Sequence, residues 1–154
     1  MENLVNDRLT PAFYEELLHE QFVLLSTIDF ETGGSNVSAI SWVHSKDEKI
    51  ILLAVDYRSR IIKNIKKQPL ATLTIITHEM TFSISGTAKA RVTAQSTGDE
   101  PIKLSIIELS INEVCDVMFY GSKIIAEPQY NKTHDQNAAE KLDNLVMQEL
   151  KKYE

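Results

Sequence analysis

Lys49-Ile50-Ile51-Leu52-Leu53-Ala54-Val55-Asp56-Tyr57-Arg58-Ser59-Arg60-Ile61-Ile62-Lys63-Asn64-Ile65-Lys66-Lys67-Gln68-Pro69 reads as a buried strand, a polar turn and a short helix stopped by proline. The apolar run Ile50 to Val55 has strand length and is too short for an independent helix. Asp56 and Tyr57 end it. Ser59 is placed to cap the short helix, its hydroxyl accepting a free amide of the first turn. Ile61, Ile62 and Ile65 then fall on one side at helical spacing, and Lys63, Lys66 and Lys67 on the other. Pro69 forbids continuation. A helix start offers unpaired amides and the positive end of the dipole, both favourable to an anion. Arg58 and Arg60 flank that point, and a guanidinium can hold phosphate oxygens with two parallel bonds. Two readings stand here: a phosphate clamp, or two solvated surface charges.

Around this segment the strands succeed one another with few helices between them. Thr10 to His19 reads as a first helix, with Thr10 as cap, Pro11 at the first helical position, acids in the first turn, and Phe13, Leu17 and Leu18 facing the core. Phe22 to Asp29 is a first strand whose near-continuous apolarity predicts cover on both faces. A turn at Glu31 to Ser35 leads to a second strand, Asn36 to His44, in which Ser38, Ala39 and Ser41 leave room beside the sheet. Ser45 to Glu48 is a polar hairpin turn into the opening stretch, the third strand.

Leu70 to Thr77 is a fourth strand, and His78-Glu79-Met80 turns the chain. Thr81 to Ala94 is a long fifth strand broken at Gly86, where an internal glycine predicts a bulge or bend. Ser96 to Pro101 reads as a surface loop. Lys103 to Leu109 and Val114 to Tyr120 read as two more strands joined by a turn around Asn112-Glu113. Gly121 to Lys132 reads as an extended connection. Thr133-x-x-Gln136 has capping-box form and opens a last helix striped with Ala138, Ala139, Leu142, Leu145, Val146 and Leu150. One helix among so many strands predicts a mainly antiparallel sheet, since a doubly wound parallel sheet needs a helix after nearly every strand. The class is β-rich α+β, and an antiparallel barrel suits the count. Residues 1–154 read as a single domain.

The chain of 154 residues has a formal net charge of −6, which argues against nucleic-acid binding. Its one cysteine, Cys115, excludes an intrachain disulfide and reads as an inert buried thiol. The opening residues lack the basic start and apolar run of a secretory signal. No apolar stretch approaches the ~20 residues that span a bilayer, so the expectation is a cytoplasmic protein without a membrane. His19, His44, His78 and His134 stand apart from one another and from cysteine, so no metal site is expected. No glycine-rich nucleotide fingerprint and no catalytic triad occurs.

The segment and the order of elements around it resemble the pyridoxamine 5'-phosphate oxidase-like family of FMN-binding split barrels. The residues that carry the likeness are Ser59-Arg60-Ile61, Asn64-Ile65, Gln68-Pro69 and the strand Leu70 to Ile76, and the likeness spans roughly Phe22 to Phe119. One position departs: the lysine that family members place beside the phosphate is Ile61. The resemblance implies an antiparallel split β-barrel, with the short helix between the third and fourth strands and further helices at the two ends.

The resemblance also implies an FMN cofactor. Asn36, Val37 and Ser38 would lie along the flavin, and Arg58, Ser59 and Arg60 would hold its phosphate. It implies a homodimer with cofactor sites at the interface and an oxidoreductase acting on a small molecule. For Trp42, core packing and a place near the flavin ring both stand. The C-terminal Arg-x-His of a true pyridoxamine 5'-phosphate oxidase is not found, so that particular reaction is not expected. Two other readings stay open. One is a split barrel that has lost flavin or binds haem or a deazaflavin, motivated by Ile61. The other is a non-enzymatic module that dimerises through the sheet and the last helix.

Overall fold

The computed structural model describes residues 5–97, 100–133 and 135–153. The order is β1 (Val5–Asn6), α1 (Pro11–Glu16), β2 (Val23–Ile28), β3 (Ser35–Ile40), β4 (Val43–Ser45), β5 (Ile50–Asp56), α2 (Arg60–Lys67), β6 (Leu70–Thr77), β7 (Met80–Thr97), β8 (Glu100–Asp116) and α3 (Gln136–Lys152). All pairings are antiparallel, in the order β3-β2-β6-β7-β8-β5-β4, with β1 on β8.

β3 and β4 are opposite ends of this order, yet only Ser41 and Trp42 separate them in the chain. Three peptide units reach at most about 11 Å. The sheet must therefore curl until its ends nearly meet. The corner is pinned on both sides: Ser41 O accepts from Gln21 N, and Trp42 O from Ala54 N, each at 3.0 Å. Among the described residues no ladder joins β3 to β5, so the barrel stays split along that seam. This is also why the expected second strand, Asn36 to His44, is two strands: the corner at Ser41-Trp42 interrupts it.

β5 explains its continuous apolar run. Ile51, Leu53 and Val55 face the barrel interior, while Leu52 and Ala54 face outward under Val146 and Leu150 of α3. β2 differs from expectation: Val23, Leu25 and Thr27 are buried, but the alternate residues are only half-buried, so one face alone is fully covered. α1 contributes Phe13 and Leu17 to the interior, and α2 contributes Ile61, Ile62 and Ile65. Burying side chains of this size is worth ~1.5–3 kcal/mol each relative to exposure.

Ser59 caps α2 by accepting from Ile61 N, and α2 ends before Pro69. Thr10 caps α1, which is shorter than Thr10 to His19 suggests, and no acid occupies its first turn. α3 is capped by Asp135 rather than Thr133: its carboxylate accepts from Asn137 N and Ala138 N. Leu142 of the expected stripe is exposed.

β8 is one strand where two were expected. Ser85 pairs with Glu113 and Gly86 with Ile111, so Asn112 is an extra residue, a bulge rather than a turn. Gly86 makes this possible: a Cβ there would lie 2.0 Å from Ser110 O. β7 runs past the expected end at Ala94 to Thr97, and Thr97 pairs with Glu100. Gly98 and Asp99 of the expected loop lie outside the described residues, as does His134. Gly121 to Lys132 carries no regular element.

Candidate functional site

The seam opens into a cleft of about 370 Å³, within the range of small-molecule sites. Ser38, Ile40, Ser41 and Trp42 line one side, Ala54, Val55 and Asp56 the other, and Ser59 and Ile61 close the end. The walls are mixed: Ala39, Ile40, Ala54, Val55 and Ile61 are apolar, while Ser38, Ser41, Ser59 and the Asp56 carboxylate are polar. α2 starts here, so its first-turn amides and positive dipole end lie beside the cleft. Ser59 Oγ accepts from Ile61 N at 3.2 Å, which leaves its own proton to donate.

The six residues expected at a cofactor do not all meet. Ser38 and Ser59 line this cleft together. Asn36 shares the inward face of β3 with Ser38, but its Oδ1 accepts from Asn64 Nδ2 at 2.9 Å. Val37 points the other way and is 61% exposed.

Both arginines are matched by carboxylates of their own chain. Arg58 Nε donates to Asp56 Oδ1 at 3.2 Å, and Arg58 N donates to the same oxygen at 2.8 Å. Arg60 turns away from the cleft to Asp29, with Nε to Oδ2 at 2.8 Å and Nη2 to Oδ1 at 3.1 Å. Its guanidinium carbon lies 4.6 Å from the centre of the Phe30 ring. The Arg60 guanidinium, and then the amides of Thr32 and Glu31, hold the Asp29 carboxyl well below the usual carboxylate range. Arg60 is thus neither free in solvent nor aimed into the cleft.

Three residues outside the six expected at the cofactor build the site; of these the sequence singles out only Asn64, as part of the family motif. Asn64 is buried and ties α2 to the first hairpin: it accepts from Phe30 N at 2.9 Å and donates to Thr27 Oγ1 and Asn36 Oδ1. Asp29 is the second; an aspartate just before the Gly33-Gly34 turn is the one signal that pointed to it, since Asx side chains commonly bond amides two and three residues on. Asp143 of α3 is the third, accepting from Trp42 Nε1 at 2.8 Å.

Other clefts offer different chemistry. One of about 290 Å³ is lined by Glu16, Glu20 and Glu127, carboxylates that repel a phosphate. Another, about 390 Å³, lies on the outer sheet face over Ser26, Thr72, Ser85 and Gly86. Among the described residues no group of three or more His, Cys, Asp or Glu side chains gathers as metal ligands. None of the described helices is long and apolar enough to cross a membrane.

No curated protein matches the chain in sequence. Solved structures share its fold at low identity. HupZ of Group A Streptococcus superposes with a TM-score of 0.58 at 11% identity, over 77% of this chain and 100% of HupZ. A candidate pyridoxamine 5'-phosphate oxidase of Lactobacillus delbrueckii gives 0.58 at 20% identity, over 74% of this chain and 98% of that one. An F420 reductase gives 0.52 at 18%, over 67% and 96%. The sequence profile described as pyridoxamine 5'-phosphate oxidase matches residues 9–116, from the approach to α1 to the end of β8. That match takes in β2 to β8, the seam and the Ser59-capped helix beside it, and on that ground the chain belongs to the pyridoxamine 5'-phosphate oxidase family.

Proposed function

We propose that this chain is an FMN-binding flavoprotein that acts as an oxidoreductase on a small molecule, without performing the pyridoxamine 5'-phosphate oxidase reaction itself. The observation that carries the reading is the seam cleft, where Ser38, Ser59 and the start of α2 converge. This lining fits a flavin. Ile40, Val55 and Trp42 supply apolar surface for a planar ring, Ser38 and Ser41 supply hydroxyls for a polyol, and the Ser59 hydroxyl, at the positive end of α2, supplies a donor for a phosphate. FMN, when bound, supplies the redox chemistry; the protein binds and orients it. Arg58, exposed and held by neighbours in its own turn, Asp56 and the Tyr57 ring, is the cation able to swing toward a phosphate.

The outer sheet face supports a homodimer. Val37, Ser26, Thr72 and Ser85 stand in one row across β3, β2, β6 and β7, all small or apolar and uncharged. A cytoplasmic location accords with the single cysteine, a reduced-thiol composition.

A second reading is favoured by the paired arginines. With Arg58 and Arg60 matched by Asp56 and Asp29, and Ile61 in place of lysine, the cleft asks less of a phosphate, as a deazaflavin or haem site would. Titration of the purified chain with FMN, riboflavin and haemin, monitored by absorbance and flavin fluorescence, separates the readings. Saturable FMN uptake that Ser59→Ala weakens supports the first. Haemin uptake with no flavin binding overturns it.

A further inference from the structure

The seam cleft has one aromatic wall, Trp42, and a chain of hydrogen bonds and ion pairs holds it. Trp42 Nε1 donates to Asp143 Oδ1 at 2.8 Å, and Asp143 Oδ2 receives Lys132 Nζ at 2.9 Å. Lys132 also reaches Glu20 Oε1 at 3.0 Å, and Tyr130 OH donates to the same Glu20 oxygen. Asp143 is 13% exposed, and the indole packs against the cluster that α3 forms with β5 and β8. One edge of the indole is therefore pinned to α3 while the ring borders the cleft. Lys132 and Asp143 lie beyond residues 9–116, so this support is outside the stretch that matches the family.

Without Asp143 the half-buried indole N–H would lose its protein acceptor, and a tryptophan side chain has two torsions through which to leave. The geometry points to Asp143 as a positioning residue for Trp42, fixing the indole as the stacking wall that selects a planar aromatic ring in the cleft. Offset stacking needs a ring held at a defined tilt, and a two-ended hydrogen-bonded anchor provides it. The ring-selecting role rests on the flavin reading above; the anchoring role does not.

Trp42 is the chain's single tryptophan, so intrinsic emission reports this indole alone. The test uses the full chain, with Asp143→Ala, Asp143→Asn and Trp42→Phe. Without ligand, Asp143→Ala should shift Trp42 emission to the red and raise its quenching by acrylamide, with far-UV circular dichroism unchanged. Asp143→Asn keeps an oxygen acceptor for the indole and should restore most of the wild-type emission. In riboflavin and FMN titrations, Asp143→Ala should weaken both ligands about tenfold, the worth of one well-made hydrogen bond. In a Trp42→Phe background the same substitution should cost nothing further, because its effect runs through the indole. Unchanged emission and quenching in Asp143→Ala overturn the anchoring role. Full additivity with Trp42→Phe overturns the ring-selecting role. If the wild type binds neither flavin, the ring-selecting role falls with the flavin reading, and the ligand-free emission arm alone decides the anchoring role.

Discussion

Arg60 grips Asp29 with two nearly parallel hydrogen bonds, 2.8 and 3.1 Å, joining the first turn of α2 to the loop after β2. The guanidinium expected to clamp a cofactor phosphate instead clamps a carboxylate of its own chain. Asp29→Asn keeps the shape of the loop but removes the nearer of the two charges on Arg60, leaving the longer contact from Nη2 to Glu31 Oε1 at 3.4 Å. The freed guanidinium should then serve the anion at the Ser59 cap. FMN affinity should rise relative to riboflavin by about tenfold, the worth of one charge-assisted bond. Paired titrations of wild type and variant with both flavins measure this. An unchanged FMN-to-riboflavin ratio would show that Arg60 cannot reach the site.

The same pair sets an acid limit. The folded state depresses the Asp29 carboxyl below its ordinary value of 3.8, chiefly through Arg60 and then through the Thr32 and Glu31 amides. A depressed acid contributes stability that is present above its unfolded value and is lost as pH falls toward the folded one. Urea midpoints of wild type and Asp29→Asn should therefore differ most near neutrality. The difference should shrink as pH drops below about 4. A difference constant down to strongly acid pH would contradict the linkage.

What the sequence disclosed was what short-range physics decides. Ser59 as cap, Pro69 as stop and the isoleucine stripe of α2 are interactions within a turn or two, and each stands as read. β6 likewise has the bounds its alternation gave. The elements read otherwise are those decided by a distant partner. Asn112-Glu113 has turn composition, but whether the chain reverses there depends on Gly86, across the ladder, letting Ser110 approach. Ser41-Trp42 looks like mid-strand until the two sheet ends must meet. Ser59 and Ser38, which the family likeness puts at a cofactor, line one cleft together. The partners of Arg60 and Trp42 were not legible, since Asp29 and Asp143 lie far from them along the chain.

Gly86 offers a sharp test of the bulge. Its added Cβ would stand 2.0 Å from the Ser110 carbonyl oxygen and 2.9 Å from its carbon, both backbone atoms locked in the β7–β8 ladder. Neither can step aside as a flexible side chain would. Gly86→Ala should cost ~3 kcal/mol or more, at the top of the overpacking range. Gly34→Ala is the control: its Cβ would meet only the Thr32 hydroxyl at 3.3 Å, and it should stay within ~0.5 kcal/mol. Thermal and urea unfolding of the two variants supply the comparison. Equal losses would remove the steric account.

Asn64 carries the last prediction. It is 1% exposed, and its amide group makes three bonds: one accepted from Phe30 N, two donated to Thr27 Oγ1 and Asn36 Oδ1. Asn64→Leu keeps the branched outline of the side chain but leaves a backbone amide and two side-chain oxygens without their partner. Leaving one buried polar group unpaired costs ~1–3 kcal/mol, so the loss should be at least ~2 kcal/mol even if water reaches Asn36. The loss should also be local in its second effect. Phe30 N has given up its acceptor, so its amide should exchange with solvent markedly faster than Leu73 or Ile75 amides in β6, whose ladder bonds are untouched. Because Asn36 and Ser38 share one face of β3, the slackened strand should weaken FMN and riboflavin alike, without changing their ratio. A variant that loses stability yet retains wild-type protection at Phe30 would show that the amide finds another acceptor and that Asn64 is not the tie between α2 and the first hairpin.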